Sequence, residues 1–191
     1  MAAVAGDPQG ALLYQDESWF VGKAYGGRCW GERATPTWIP AFGPKQGEVL
    51  YLSLELGSGQ LCWRHAARTN AGATIEYLGY LAEAYADRKY LTVVWDNASW
   101  HKAAAVERWL GEHNAAAAHK RLPKLFVFYL PTYSPWLNPV EAIFNQTKRR
   151  VLFGRNLPHP AQRRRALDNH LAQRNQHLAP PQRSLRYENK H

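Results

Sequence analysis

Little in this chain of 191 residues points to a secreted, zinc-stapled or membrane-bound protein. It has only two cysteines, Cys29 and Cys62. Neither belongs to a CxxC or CxxH pattern, so the sequence offers no zinc motif and no disulfide framework. A reducing compartment is the simpler expectation. No apolar run approaches the length needed to span a bilayer. Met1 to Gly10 has neither the basic region nor the apolar stretch of a signal peptide, and there is no internal repeat. These absences predict a soluble, cytoplasmic protein.

Net charge is also missing over most of the chain. The first 147 residues carry 13 Lys+Arg and 13 Asp+Glu, whereas Lys148 to His191 carries 11 against 2. The whole formal excess of +9 therefore sits in the C-terminal quarter. A basic end on a neutral body fits a polyanionic partner, although a solvated, solubilising tail has the same composition. Hydrophobic residues make up 46% and aromatics 13%, enough for a packed core and too much for a disordered chain.

Apolar patterning then gives the elements. Ala11 to Gln15 reads as a short strand ending at Asp16, with Trp19 to Tyr25 as its hairpin partner. Arg28 to Glu48, rich in Gly and Pro, reads as a long loop or irregular hairpin. Val49 to Leu56 alternates, predicting a half-buried strand with its leucines inward. Ile75, Leu78, Leu81 and Tyr85 have helical spacing. Tyr90 to Trp95 is nearly all apolar, as in a central strand covered on both faces, and ends at Asp96. A helix is predicted from Trp100 to His119, a buried strand from Lys124 to Leu130 and a turn-rich loop from Pro131 to Pro139. A last strong helix runs from Pro139 to Phe153, with Val140, Phe144, Thr147 and Val151 as its buried stripe. Beyond Gly154 the apolar content falls, and 160–178 is at most a basic helix. Strands first, then alternating helices and strands, imply an α/β domain over residues 10–153 with a mixed sheet flanked by helices, followed by a basic extension over 154–191.

Two acidic residues stand out on this frame. Asp16 and Asp96 both follow predicted strands, at the sheet edge where ligands gather in α/β proteins. If the strands are neighbours, the carboxylates repel unless a proton or cation lies between them. Magnesium suits such a place because it needs only one or two carboxylates and keeps its waters. Taken singly, each Asp also reads as a turn residue or helix cap. Glu141 has two accounts as well. Asn138-Pro139-Val140-Glu141 matches a capping box with proline at the first helical position. The same placement puts Glu141 on the first helical turn beside a strand-end loop, within reach of the other two. Spacing alone does not choose.

Three segments carry a resemblance that bears on the choice: Tyr14-Gln15-Asp16-Glu17-Ser18, Val94-Trp95-Asp96-Asn97-Ala98-Ser99-Trp100-His101, and Leu130 to Glu141 with its Ser134-Pro135-Trp136-Leu137-Asn138-Pro139 core. In order and content they resemble the signature blocks of mariner-superfamily transposases, above all the bacterial insertion-sequence branch with a DDE endonuclease domain. The third block is the most specific. The resemblance implies an RNase H-like fold and a triad of Asp16, Asp96 and Glu141. It implies two Mg2+ ions, for which Mn2+ can substitute, and cleavage and strand transfer of DNA. It also implies element ends and target DNA as partners, and a homodimer on DNA. One metal would lower the pKa of the attacking group and the other would stabilise the leaving oxygen.

The sequence departs from that pattern twice. Forty-four residues separate Asp96 from Glu141, more than the superfamily usually has, with the surplus expected in Gly111–Lys124. The first catalytic Asp also stands at position 16, leaving no room for the helix-turn-helix domains that precede it in full-length relatives. A helix-turn-helix partner chain, a truncation or a missing N-terminal domain would account for this. Asn97, His101 and Asn138 are candidates for touching DNA or supporting the ligating groups, as are Lys148 and Arg149. Arg163-Arg164-Arg165 reads as a phosphate-contacting cluster or as a solvated helix face. Trp30, Trp38 and Trp136 are loop residues that can stack on bases, although packing is the commoner use of tryptophan. A metal-dependent nuclease that does not join strands, and an inactive or regulatory transposase remnant, are the alternative functions.

Overall fold

The computed structural model describes residues 7–21, 47–132, 134–155 and 157–178. Five strands form one sheet in the order β3-β2-β1-β4-β5. They are β1 (Gly10–Val21), β2 (Gly47–Glu55), β3 (Leu61–Ala66), β4 (Tyr90–Trp95) and β5 (Lys124–Tyr129). β1, β2 and β3 form an antiparallel meander, while β1, β4 and β5 run parallel. The parallel strands are joined through helices α1 (Ala71–Ala84) and α2 (Ala104–Lys120), as parallel pairing requires. After β5 come a short 3-10 turn (Pro135–Leu137), α3 (Val140–Thr147), a π-helical segment (Lys148–Leu152) and α4 (Pro160–His177).

Two cores lie on the two faces of the sheet. On one, Tyr77, Leu78 and Leu81 of α1 and Val106 of α2 pack on Leu13, Tyr51, Leu91, Val93, Trp95 and Leu125. On the other, Val140, Ile143 and Phe144 of α3, Val151 and Leu152 of the π segment, and Leu167 and Leu171 of α4 cover Phe20, Leu50, Leu52, Leu61 and Trp63. Val140, Phe144, Thr147 and Val151, the predicted stripe, are all buried. Among the described residues no helix is long and apolar enough to cross a membrane.

Several expectations need correction. Asp16 does not end a strand: β1 continues to Val21, so Trp19 is part of the same strand and not of a hairpin partner. The reason is β2, which pairs with β1 from Leu13 to Val21, whereas β4 pairs with it only as far as Tyr14. The rest of the expected loop, with Trp30 and Trp38, lies outside the described residues. β2 is buried on both faces, because the polar Ser53 on its second face accepts a hydrogen bond from the Tyr77 hydroxyl at 2.9 Å. β3 went unpredicted. β5 is not a buried central strand but the sheet edge, with Phe126 and Phe128 about half exposed. Helix α4 is well formed, and Leu167 and Leu171 are fully buried. Residues up to His177 are thus folded onto the domain rather than extending from it.

Candidate active site

Asp16 and Asp96 come together through strand register. Tyr14 pairs with Val94 in the parallel β1–β4 ladder, and each Asp lies two residues further on. Side chains alternate along a strand, so Asp16 shares a face with Tyr14, which packs with Leu12 and Val94. Because β4 ends at Trp95, the sheet opens beside Asp16 just where Asp96 begins the next loop.

Asn138 brings α3 to the same place. It is buried, and its Nδ2 donates to the Gln15 carbonyl at 3.3 Å while its Oδ1 accepts from the Val140 amide at 3.2 Å. One side chain thus ties the start of α3 to the strand residue preceding Asp16. The capping box is only half formed: among the described residues no bond returns from the Glu141 carboxylate to the Asn138 amide, and Glu141 is exposed. The Glu141 charge reaches Asp16 nonetheless. Burial, opposed by a bond from the Glu17 amide and reinforced by the charges of Glu17, Glu141 and Asp96, pushes the Asp16 carboxyl up to about 7. Lys148, at the start of the π segment, responds in the opposite sense. Burial lowers its pKa, while the charges of Glu141 and Asp16 hold it up. Its ammonium also lies 5.5 Å from the centre of the Phe20 ring.

Asp96 is held differently. Its Oδ1 accepts from the Ala98 amide at 2.9 Å and meets His101 Nδ1 at 2.9 Å. His101 is fully buried and stacks on Trp95 with ring centroids 4.4 Å apart and planes 4° from parallel. Its Nε2 meets Glu17 Oε1 at 3.0 Å. The bond to His101 holds the Asp96 carboxyl below the usual carboxylate range. Burial pulls the imidazole pKa down, but Asp96 and Glu17 together outweigh it and lift the ring to about 9. Glu17 alternates to the other side of β1 from Asp16, and nothing in its local sequence identified it as the partner of His101.

The remaining candidates divide. Asn97 donates to the Leu130 carbonyl and so joins the loop after β4 to the end of β5. Arg149 and Arg165 are exposed, as is Trp136 at 77%. Arg163 is not available to phosphate. It is completely buried, donates to the Leu157 carbonyl at 3.0 Å and faces Glu48 at 3.3 Å. Arg164 also bonds Glu48 but remains half exposed. A helix this poor in apolar residues is fastened by charge, and that consumes two members of the expected cluster.

Asp16, Asp96 and Glu141 offer hard oxygen donors, and burial, reinforced by the charges of Glu17, Glu141 and Asp96, raises the Asp16 carboxyl. That donor chemistry fits a divalent cation such as magnesium. Among the described residues, no three acidic, His or Cys side chains are already gathered into a closed cage.

The sheet order, with a carboxylate-bearing notch where two parallel strands part, defines an RNase H-like domain of the transposase and integrase type. The family model of DDE superfamily endonucleases matches residues 11–162, well over half of the chain, and the chain belongs to that family. It is 32% identical over 103 residues to the insertion element IS630 uncharacterized 39 kDa protein of Shigella sonnei, covering 53% of this chain and 27% of that protein. The fold is similar to that of the Mos1 transposase paired-end complex with left transposon end, with a TM-score of 0.63, 19% identity and coverage of 84% of this chain and 47% of that one. It is equally similar to the Mos1 mariner paired-end complex with Mn, at TM-score 0.63 and 17% identity, with coverage of 84% and 48%. The chain therefore spans about a quarter to a half of the length of these proteins.

Proposed function

We propose that this domain is the catalytic part of a transposase, cutting DNA and joining the cut end to a target, with Asp16, Asp96 and Glu141 holding divalent metal. The observation that carries this reading is electrostatic as well as topological. One carboxylate lies on β1 and another on the first residue after the adjacent parallel strand β4, each two residues past the Tyr14–Val94 pair, and the charge of a third, from α3, adds to the raised pKa of the first. Evolution within a family that cuts DNA gives that juxtaposition its most direct use.

The chain's own residues would divide the work as follows. Asp16, Asp96 and Glu141 would hold two Mg2+ ions, or Mn2+ in their place. When bound, such ions lower the pKa of an attacking water or 3′-hydroxyl and stabilise the leaving oxygen. Asn138 keeps α3, and with it Glu141, fixed relative to β1. Lys148 supplies a cation beside Glu141 and Asp16, where it can pair with a phosphate. Arg149 and Arg165 supply exposed positive charge for the DNA backbone. A homodimer on DNA and a helix-turn-helix domain or partner for end recognition belong to the same proposal.

The test pairs Asp96→Asn with Glu141→Gln on a pre-nicked duplex in magnesium and then manganese. Both variants should lose cleavage by more than about a hundredfold, beyond the range for residues that merely support a ligand. Glu141→Gln should keep its melting behaviour within about 0.5 kcal/mol, since Glu141 is exposed and has no bonded side-chain partner among the described residues. Wild-type cleavage by Glu141→Gln would remove it from the triad. A strand-transfer assay on the same substrates separates the transposase reading from hydrolysis alone.

A further inference from the structure

Glu17 is adjacent to Asp16 in sequence, yet it does not serve the same site directly. Only 4% of its side chain is exposed, and both its oxygens are engaged. Oε1 accepts from Gln15 Nε2 at 2.9 Å and meets His101 Nε2 at 3.0 Å, while Oε2 accepts from Trp100 Nε1 at 3.3 Å. Its carboxylate is thus turned into the protein toward Gln15, Trp100 and His101. Beyond it, His101 touches nothing acidic but Glu17 and Asp96.

The bond inventory determines what the chain of contacts does. A neutral imidazole donates through one nitrogen only. Here Nε2 bonds Glu17 Oε1 at 3.0 Å, while Nδ1 bonds the Asp96 backbone carbonyl at 3.3 Å and lies 2.9 Å from Asp96 Oδ1, so each nitrogen faces acceptors of one of these two acidic residues. The ring is clamped from four sides: by Asp96, by Glu17, by the parallel face of Trp95 and by the edge of Trp100 at 6.0 Å. It has no freedom to turn. Asp96 is thereby held at two points: its Oδ1 accepts from the Ala98 amide and lies 2.9 Å from His101 Nδ1, and its backbone carbonyl meets the same ring nitrogen. The side chain of Asp96 is nevertheless 55% exposed.

We infer that Glu17 is a positioning residue that acts through His101 to hold the Asp96 carboxylate in one orientation. The inference rests on the proposed function, since it assumes that Asp96 is a ligand. Its logic is that of the partners behind metal ligands generally. A carboxylate held by a second layer of hydrogen bonds loses less rotational freedom on binding, and removing that layer typically costs 10–100-fold in metal affinity. The Glu17 charge has a second effect. Without it, His101 would place an uncompensated positive charge directly behind Asp96.

The experiment measures Mn2+ binding to the full chain by electron paramagnetic resonance, without DNA and without turnover. Glu17→Gln keeps an acceptor for His101 and should weaken Mn2+ binding by several-fold. Glu17→Leu removes it and should weaken binding by about 10–100-fold. A merely structural role is separated by a double-mutant cycle: in an Asp96→Asn background, Glu17→Leu should add almost nothing to the loss. Glu17→Gln also guards against a misfolded Leu variant. Unchanged Mn2+ affinity in both single variants would overturn the inference, as would an undiminished effect of Glu17→Leu in the Asp96→Asn background. Absence of Mn2+ binding by the wild-type chain would instead overturn the metal-site reading itself, and this inference with it.

Discussion

Among the described residues, His65 and His101 each bridge two carboxylates, in surroundings that differ. His65 lies between Glu48 at 3.3 Å and Asp168 at 2.8 Å. His101 lies between Asp96 at 2.9 Å and Glu17 at 3.0 Å. Both rings are lifted to about 9, and in both the bonds to carboxylates overcome the effect of burial. The difference is in what surrounds them. The His65 cluster is closed by Arg163 and Arg164 on Glu48 and by the Trp63 indole on Asp168, so its two carboxylates are fully answered by cations. The His101 cluster is left unbalanced. Asp96 is half exposed, and Asp16 and Glu141 add negative charge beside it, with Lys148 near Asp16 and Glu141 and Lys102 near Asp96 as partial compensation. The closed cluster fastens α4 to β2 and β3. The open, anionic one has the charge that the proposed metal ligands would need.

The contrast can be broken most strongly at Glu48. Removing its charge leaves Arg163 buried opposite no carboxylate, and loss of one partner from a buried ion pair typically costs about 3–5 kcal/mol. Glu48→Gln should therefore lower the urea midpoint markedly, with the m-value unchanged. Cleavage per folded molecule should change far less than stability, because Glu48, which pairs with Phe20 four residues beyond Asp16, bonds His65, Arg163 and Arg164 and none of the three acidic candidates. A stable Glu48→Gln protein with poor cleavage would invert the assignment of roles.

Much of this arrangement was legible beforehand, for reasons that particular residues make plain. β4 announced itself because Tyr90 to Trp95 is apolar on both faces, and α3 because Val140, Phe144, Thr147 and Val151 recur at helical spacing. Asp16 and Asp96 were legible as the residues beyond Tyr14 and Val94. The continuation of β1 past Asp16 was not, because strand length there is set by pairing with β2, which no local pattern reports. Helix α4 was obscured because only Leu167 and Leu171 face the sheet fully, and the remainder of its attachment is ionic. Arg163 reads as a surface cation in sequence, and becomes a core residue only when Glu48, more than a hundred residues earlier, lies opposite. The link from Glu17 to His101 was hidden for the same reason: 84 residues separate them.

The two clusters can also be distinguished by pH. His65 has a folded-state pKa of about 9 against an ordinary value of 6.5. Its contribution to stability is thus complete below about pH 6.5, declines as pH rises and is gone above about pH 9. With Asp168 44% exposed, solvent screening reduces the effect to the order of 1 kcal/mol. The groups facing His65 are Glu48 and Asp168, with Arg164 behind Glu48. Chemical denaturation at intervals between pH 6 and 9.5 should show a falling stability whose slope shrinks in Asp168→Asn. Since His101 titrates in the same range, an identical slope in Asp168→Asn would assign the whole effect to the other cluster.

The smallest effect concerns the positive charge that α4 does not spend on its own attachment. Arg163 and Arg164 face Glu48, and Arg174 donates to the Gly59 carbonyl at 3.1 Å, which leaves Arg165 as the exposed cation of this helix without a bonded partner among the described residues. Beyond Leu178 the chain carries Arg183, Arg186 and Lys190 against Glu188. If the basic end supplies non-specific DNA affinity, a chain ending at 178 should bind duplex DNA more weakly. The slope of log affinity against log salt should then fall by at most about 3, since each lost phosphate contact accounts for roughly 0.9. Truncating after Gly154 would be the wrong experiment, because it removes Leu167 and Leu171 from the core along with the charge. The shorter cut leaves the His65 cluster whole, so its melting temperature should match that of the full chain. Equal salt slopes in the two proteins would locate the DNA-binding charge on the folded domain, at Lys148, Arg149, Arg150, Arg155 and Arg165, and leave the final residues to solubility.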